Sequence, residues 1–370
     1  MKVLFFANSD WYLYNFRLSL ARYMSDLGHE VVLVSPPGLY SKRLEALGFR
    51  WRSLEMERQS LNLFKELRVI YRLLRIYRSE RPDIAHHFTL KCVLYGMFAV
   101  SVSRVSSSVN AITGLGHLFT VNSRLSRLLK PLVPLVLKLL FLQKRTRVIV
   151  QNRDDYEFVK MSRIIDEREL YLIYGSGVNT DLFVPFEREK NRKITILMAT
   201  RLLEDKGVKE YLQAAQSLGR RKEEVIFQLA GERDLGNPSS FTESEVTAWE
   251  EEGDVMLLGQ VEDMAGLLKR VDIVVLPSYR EGLPRILIEA GACALPIVTT
   301  DVPGCREVVE DGVNGFLVPP RDVVVLSEKI EMLLDSYSLR RKFGEAGREK
   351  ILNQFDEGIV LPATAKTYLW

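Results

Sequence analysis

Apolar runs of strand length alternate with amphipathic runs of helix length along this chain, and that alternation constrains its fold more than any other feature. KVLFFAN (2–8), EVVLVSP (30–36), DIAHHF (83–88), VNAITG (109–114) and RVIVQN (147–152) read as strands. Among them, FRLSLARYMSDLG (16–28), SKRLEALGF (41–49) and the basic NLFKELRVIYRLLRIYRSE (62–80), closed by Pro82, read as helices. After a polar hinge, PFEREKNRK (185–193), the theme repeats. ITILMAT, VIFQLAG, DVMLLGQ, DIVVLPS and PIVTTD are strands, KEYLQAAQSL and MAGLLKRV are helices, and residues 325–352 form a last helical region. Strands alternating with helices predict an α/β fold with parallel sheets. Two successive units predict two doubly wound domains facing one cleft.

The 370 residues suffice for two cores, and 47% hydrophobic with 27% charged residues excludes a disordered chain or a membrane-spanning bundle. Residues 1–180 carry 27 Lys+Arg against 15 Asp+Glu, and the remainder 24 against 33. A basic half is expected to meet something anionic; nucleic acid, a membrane surface and phosphorylated metabolites all fit at this point. Cys92, Cys293 and Cys305 lack metal-type spacing and suit a reduced, cytosolic setting. MKVLFFANSD reads as a strand running into a loop rather than as a secretory leader. RLSRLLKPLVPLVLKLLFLQKRTR (124–147) is too short and too interrupted to span a bilayer, which takes about 20 apolar residues. It fits an interfacial segment, with Arg124, Arg127, Lys130 and Lys138 meeting anionic headgroups; a core helix with a solvated basic face is the alternative.

In open α/β sheets, ligands bind beyond the carboxyl ends of the strands. In the second unit Arg201 follows ITILMA, with Lys206 five residues on. Gly231 and Glu232 follow VIFQLA, Gly259 follows DVMLL, and Ser278 through Glu281 follow DIVVLP. A nucleotide diphosphate needs that inventory. Two cations neutralise phosphate, arginine forking onto two oxygens, and a helix N-terminus near Gly282 and Leu283 adds its dipole. In REGLPRILIEA (280–290) the helix is expected to start near Pro284, leaving Glu281 in the loop and Glu289 two turns up. Glu289 then suits a ribose and Glu281 the hydroxyls of an attached sugar.

SYREGLPRILIEAGACALPIVTTDVPGCREVVEDGVNGFLVPPRD (278–322) resembles the donor-binding signature of retaining family-four glycosyltransferases of the GT-B fold. ATRLLEDKGVKEYLQAA (199–215) is similar to their diphosphate segment and YGSGVNTDLFVP (174–185) to their interdomain passage. The resemblance implies two Rossmann-like domains, residues 1–178 for the acceptor and 179–354 for the nucleotide sugar, with 355–370 crossing back. It implies that Arg201 and Lys206 bind the diphosphate, Glu289 the ribose and Glu281 the donor sugar. Arg201, Lys206 and Glu281 would then carry catalysis, with Gly231, Gly282 and Leu283 at the donor. It further implies retention of configuration with no metal and no cofactor besides the nucleotide sugar.

NSDWYLYNFRLSLARYMSDLGHEVVLVSP, HHFTLK and NAITGLGHLFT resemble the acceptor domain of bacterial members that extend sugars on undecaprenyl diphosphate in O-antigen, capsule or lipid-linked oligosaccharide assembly. That likeness implies a UDP-N-acetylhexosamine donor, a lipid-diphosphate-linked acceptor, an anionic membrane surface at the inner face of the cell membrane, and no nucleic acid. Arg17 and Lys91 become candidates for the acceptor phosphates and His117 for a sugar contact. His86 and His87 end a strand where one could line the cleft, His29 reads as structural, and Asp154 and Asp155 read as a helix N-cap pair. Two other classes stay open: a nucleotide-sugar epimerase of the same fold, and a non-enzymatic membrane adaptor with a vestigial nucleotide site.

Overall fold

A computed structural model describes residues 1–57, 62–114, 132–142, 145–187, 193–221 and 223–370. The chain divides into two compact units, Met1–Ser176 with Gly358–Trp370, and Gly177–Glu357.

The first unit is built on seven parallel strands: β1 (Lys2–Phe6), β2 (Glu30–Ser35), β3 (Arg50–Ser53), β4 (Ile84–Phe88), β5 (Ser107–Ile112), β6 (Thr146–Val150) and β7 (Leu170–Leu172). Their order is β3-β2-β1-β4-β5-β6-β7, with Val3 opposite both Val31 and Ile84. The second unit has β8 (Ile194–Ala199), β9 (Val225–Ala230), β10 (Met256–Gly259), β11 (Ile273–Leu276), β12 (Ile297–Thr300) and β13 (Gly315–Val318) in the order β10-β9-β8-β11-β12-β13, again parallel. Each sheet reverses its strand order beside its first strand, at β1/β4 and at β8/β11, the doubly wound pattern that leaves a ligand crevice at the carboxyl ends. Central strands such as β1 and β11 are near-continuous apolar runs because both faces are covered.

Three strands escape sequence reading. β3 is RWRS, a polar edge; β7 has three residues; β13 opens on Gly315. None carries the long β-branched run that marks a central strand. The basic helix is Leu63–Glu80, with Asn62 accepting from the Phe64 and Lys65 N–H groups and Arg81 closing it in the left-handed region. The predicted last helical region is two helices, Val323–Asp335 and Tyr337–Gln354, because the Ser336 hydroxyl caps the second through the Leu339 N–H.

His86 and His87 do not line a ligand crevice. They alternate across β4 and both are fully buried. His86 Nδ1 lies 2.6 Å from the Tyr368 hydroxyl, while His87 sits between Asn110 Oδ1 at 2.7 Å and the Tyr77 hydroxyl at 2.8 Å. Burial holds His87 down to about 4 and His86 well below the usual histidine range, helped by the Arg17 charge. Asp154 and Asp155 lie in the first turn of helix Arg153–Met161, but its cap is Asn152, which accepts from the Asp155 N–H at 2.8 Å.

Candidate active site

The carboxyl edge of the second sheet gathers the side chains that sequence reading picked out, by way of loops after four strands. Lys206 ends a short 3-10 turn, Glu204–Lys206, which Gly207 closes at φ 73°. A Cβ there would lie 2.1 Å from the Pro277 carbonyl oxygen, so the Lys206 turn packs directly on the loop after β11. Across that contact Lys206 Nζ reaches Glu281 Oε1 at 2.7 Å, and the Ser278 hydroxyl donates to the same oxygen at 2.7 Å. Both charged side chains are 13% exposed.

Arg201 follows β8 and is held by Asp234, NH1 to Oδ2 at 2.5 Å. Gly231 follows β9 at φ 142°, where a Cβ would stand 1.7 Å from the Thr200 carbonyl oxygen, so only glycine lets the loops after β8 and β9 meet. The helix after β11 is Arg285–Ala292, with Pro284 in the cap position. Gly282 and Leu283 therefore precede its first turn rather than forming it. Glu289 is the fifth residue of that helix, a little over one turn up and not two. It is buried, and burial raises its carboxyl above the usual range while the Arg285 guanidinium, Nε to Oε1 at 2.7 Å, pulls it back.

Beside these groups, beyond β8, β9 and β10, a cavity of about 340 Å³ is walled by Leu202, Leu229, Leu235, Val246 and Leu257, with Gly231 at its edge. Glu232, Arg233 and Glu250 also line it, and its mainly apolar wall and its size suit a planar ring.

In the first unit Arg17 ends a π-helical turn, Leu13–Arg17, the kind of helical irregularity frequent at functional sites. It is 4% exposed. NH2 donates to the Tyr12 hydroxyl at 2.7 Å, NH1 to the Gly175 carbonyl at 3.3 Å, and the guanidinium lies 4.5 Å over the Phe88 ring. Nε has no partner. Lys91 is engaged, with Glu66 at 3.1 Å and the Glu57 carbonyl at 2.7 Å. Lys138 lies exposed on helix Leu132–Phe141, where Leu135, Val136 and Leu139 are also exposed. His117, Arg124, Arg127 and Lys130 lie outside the described residues. Among the described residues no helix is long and apolar enough to cross a membrane.

Residues 180–350 match the family described as glycosyl transferases group 1, and residues 2–152 match glycosyl transferase 4-like. The chain belongs to the GT-B glycosyltransferases. It is 29% identical, over all of its length and 98% of the relative's, to the N,N'-diacetylbacillosaminyl-diphospho-undecaprenol alpha-1,3-N-acetylgalactosaminyltransferase of Campylobacter jejuni. It is 24% identical to the UDP-Gal:alpha-D-GlcNAc-diphosphoundecaprenol alpha-1,3-galactosyltransferase of Escherichia coli, covering 80% of this chain and 78% of that one. Its fold matches that of Anabaena HepE, solved in complex with UDP, with a TM-score of 0.78 at 18% identity, over all of this chain and 99% of that one.

Sequence reading of this glycosyltransferase missed the acidic partner of Arg201. Asp234 lies 33 residues away and carries no local signal. It also missed Gly304, φ 80°, where a Cβ would meet the Gly282 and Glu281 carbonyl oxygens at 2.5 and 2.9 Å. Cys305, next in the chain, is buried against the same loop, and its thiol is pushed up to about 12, by burial first and by the Glu281 charge second.

Proposed function

We propose that this glycosyltransferase moves an N-acetylhexosamine from its UDP derivative onto a lipid-diphosphate-linked saccharide in surface-polysaccharide or oligosaccharide assembly, with retention. The observation that carries this reading is the cluster of Lys206, Glu281 and Ser278 at the carboxyl edge of the second sheet, with Arg201 and buried Glu289 on the same edge. Negative charge grows on the diphosphate as the sugar leaves, and Arg201, Lys206 and the start of helix Arg285–Ala292 stabilise it. With two fixed cations there, the reading assigns no role to a metal. Glu289 takes ribose hydroxyls, Glu281 the sugar's hydroxyls, and the cavity bounded by Leu202 and Leu257 the base. The leaving phosphate accepts the acceptor's proton, so no strong general base is required.

Arg17, a buried cation with an unpartnered Nε, supports the acceptor-phosphate role better than Lys91, whose charge Glu66 already meets. The relatives from Campylobacter jejuni and Escherichia coli, whose names specify diphospho-undecaprenol acceptors, support the lipid acceptor and a cytoplasmic, peripheral position on the inner face of the cell membrane. Exposed Lys138 with the leucines of its helix supports contact with an anionic surface.

A donor screen against lipid-linked monosaccharides, with NMR of the new linkage, tests the reading. Transfer of an N-acetylhexosamine with retained α configuration is expected. Interconversion of UDP-sugars in the absence of acceptor would establish the epimerase instead.

A further inference from the structure

At the amino edge of the first sheet, opposite the edge that binds ligands in such folds, lies a second cavity of about 680 Å³. Four cations line it: Lys138 from helix Leu132–Phe141, Arg145 and, on the end of helix Arg153–Met161 or just past it, Lys160 and Arg163. Three carboxylates also line it, but each is already met: Asp166 by Arg168 at 2.7 Å, Glu167 by Lys160 at 2.6 Å, and Glu169 by Arg147 at 2.8 Å. The side chains of Lys138, Arg145 and Arg163 make no ion pair or hydrogen bond among the described residues, so the cavity carries a surplus of positive charge. Arg145 and Arg163 also hold left-handed backbone, φ 56° and 48°, a conformation that costs a non-glycine residue about 1 kcal/mol or more.

The rest of the wall is apolar, with Phe141, Ile164 and Trp370. Trp370 is half-exposed with its ring 4.0 Å beneath the Arg147 guanidinium, and Arg147 also donates to the Thr367 carbonyl at 3.2 Å, fixing this segment. Leu139 on the adjoining helix and Leu142 just past its end are 60% and 72% exposed. An anion alone has no use for that surface, and an apolar ligand has no use for three unpaired cations. An amphiphile with an anionic head satisfies both, and a half-exposed tryptophan beside bare leucines is the pattern found at a headgroup boundary.

We propose that this cavity binds the headgroup of an anionic phospholipid, with its phosphate met by Arg145 and Arg163, Trp370 at headgroup level and Leu139 and Leu142 entering the acyl boundary. The site rests on the membrane-contact reading above and gives it a defined place.

Flotation of the full chain with phosphatidylglycerol vesicles, against phosphatidylcholine vesicles, tests it. The variant pair Arg145→Asn and Arg163→Asn removes charge while asparagine tolerates left-handed backbone. Wild type is expected to float with the anionic vesicles only. The pair should bind about 25-fold more weakly, since each of the two cations near an anionic surface contributes about fivefold. A control pair elsewhere on the same unit, Lys42→Asn and Arg78→Asn, should lose clearly less. Equal losses in the two pairs would overturn the pocket and leave membrane contact standing, whereas no flotation of wild type would end both. Full displacement by inorganic phosphate would replace the lipid with a free anion and also overturn the proposal. Should the arginine pair fail to fold, Leu142→Ser with Trp370→Ser, on exposed positions, is expected to weaken flotation in the same way, and unchanged flotation overturns the lipid site.

Discussion

Lys206 Nζ stands 2.7 Å from Glu281 Oε1, an ion pair between residues 75 apart in the sequence that joins the loop after β8 to the loop after β11. The free protein thus holds the cation proposed for the diphosphate and the carboxylate proposed for the sugar against each other. Both have been drawn out of water before any donor arrives, which is the preorganisation that electrostatic catalysis uses.

Replacing Lys206 with Ala should lower kcat by about 10²–10³-fold, the usual cost of losing one fixed stabiliser of transition-state charge. It should also lower stability by about 1–3 kcal/mol, because Glu281 is left largely buried with the Ser278 hydroxyl in place of a cation. Glu281→Gln combined with Lys206→Ala should recover the stability and not the turnover. Steady-state kinetics beside thermal melting separates the two, and near-normal turnover in Lys206→Ala would remove it from the mechanism.

If Arg201 meets the donor diphosphate as proposed, Asp234 competes with the donor for it. Asp234→Asn should bind UDP more tightly, by up to about fivefold, since a pair this exposed contributes no more than about 1 kcal/mol. Titration calorimetry measures it. Weaker UDP binding in the variant would mean that Asp234 orients Arg201 rather than screening it.

Gly304→Ala places a methyl against the carbonyls of Glu281 and Gly282, at a φ of 80°. The expected result is a KM for the donor raised about tenfold or more, because a small displacement of a binding loop is enough to spoil alignment. A variant with unchanged KM and a lowered melting point would assign Gly304 to packing alone.

Acid should weaken the first unit. His87 is held at about 4 in the fold, below its unfolded value of about 6.5, chiefly by burial. Between those pH values the unfolded chain binds a proton that the folded chain refuses, so stability is complete above pH ~6.5 and falls as pH drops toward ~4. The loss reaches about 3 kcal/mol for His87, and His86 acts in the same direction. Denaturant unfolding across this range should show a slope that is smaller by one proton in His87→Leu, although that variant starts out less stable because Tyr77 and Asn110 lose their partner.

Much of the chemistry at the second sheet's edge is legible in the sequence, since Arg201, Lys206, Gly231 and Glu281 each follow a long apolar strand and the strand marks which end they occupy. The partners are not legible. Arg17 and Lys91 look alike as cations in basic surroundings, yet Arg17 is buried against Phe88 with one donor unused, and Lys91 is neutralised by Glu66 from another helix. His86 and His87 sit at a strand end in the sequence and in the core of the fold, because Tyr77 from the preceding helix and Tyr368 from the far end of the chain close over them.

The sequence by itself determined two doubly wound parallel sheets, because a strand covered on both faces must be apolar along its whole length and a covering helix apolar on one side, and both patterns are local. Only the tertiary structure decided which charges are free to meet a ligand. Lys206 finds Glu281 and Arg201 finds Asp234 through loops set side by side by strand order, whereas Arg285 meets Glu289 one turn along the same helix. The same holds for the lipid cavity, where Arg145 and Arg163 are left over once Asp166, Glu167 and Glu169 have been paired. Charge pairing depends on distances of a few ångströms between segments that the chain keeps far apart, and a pattern read along one strand or helix carries no record of them.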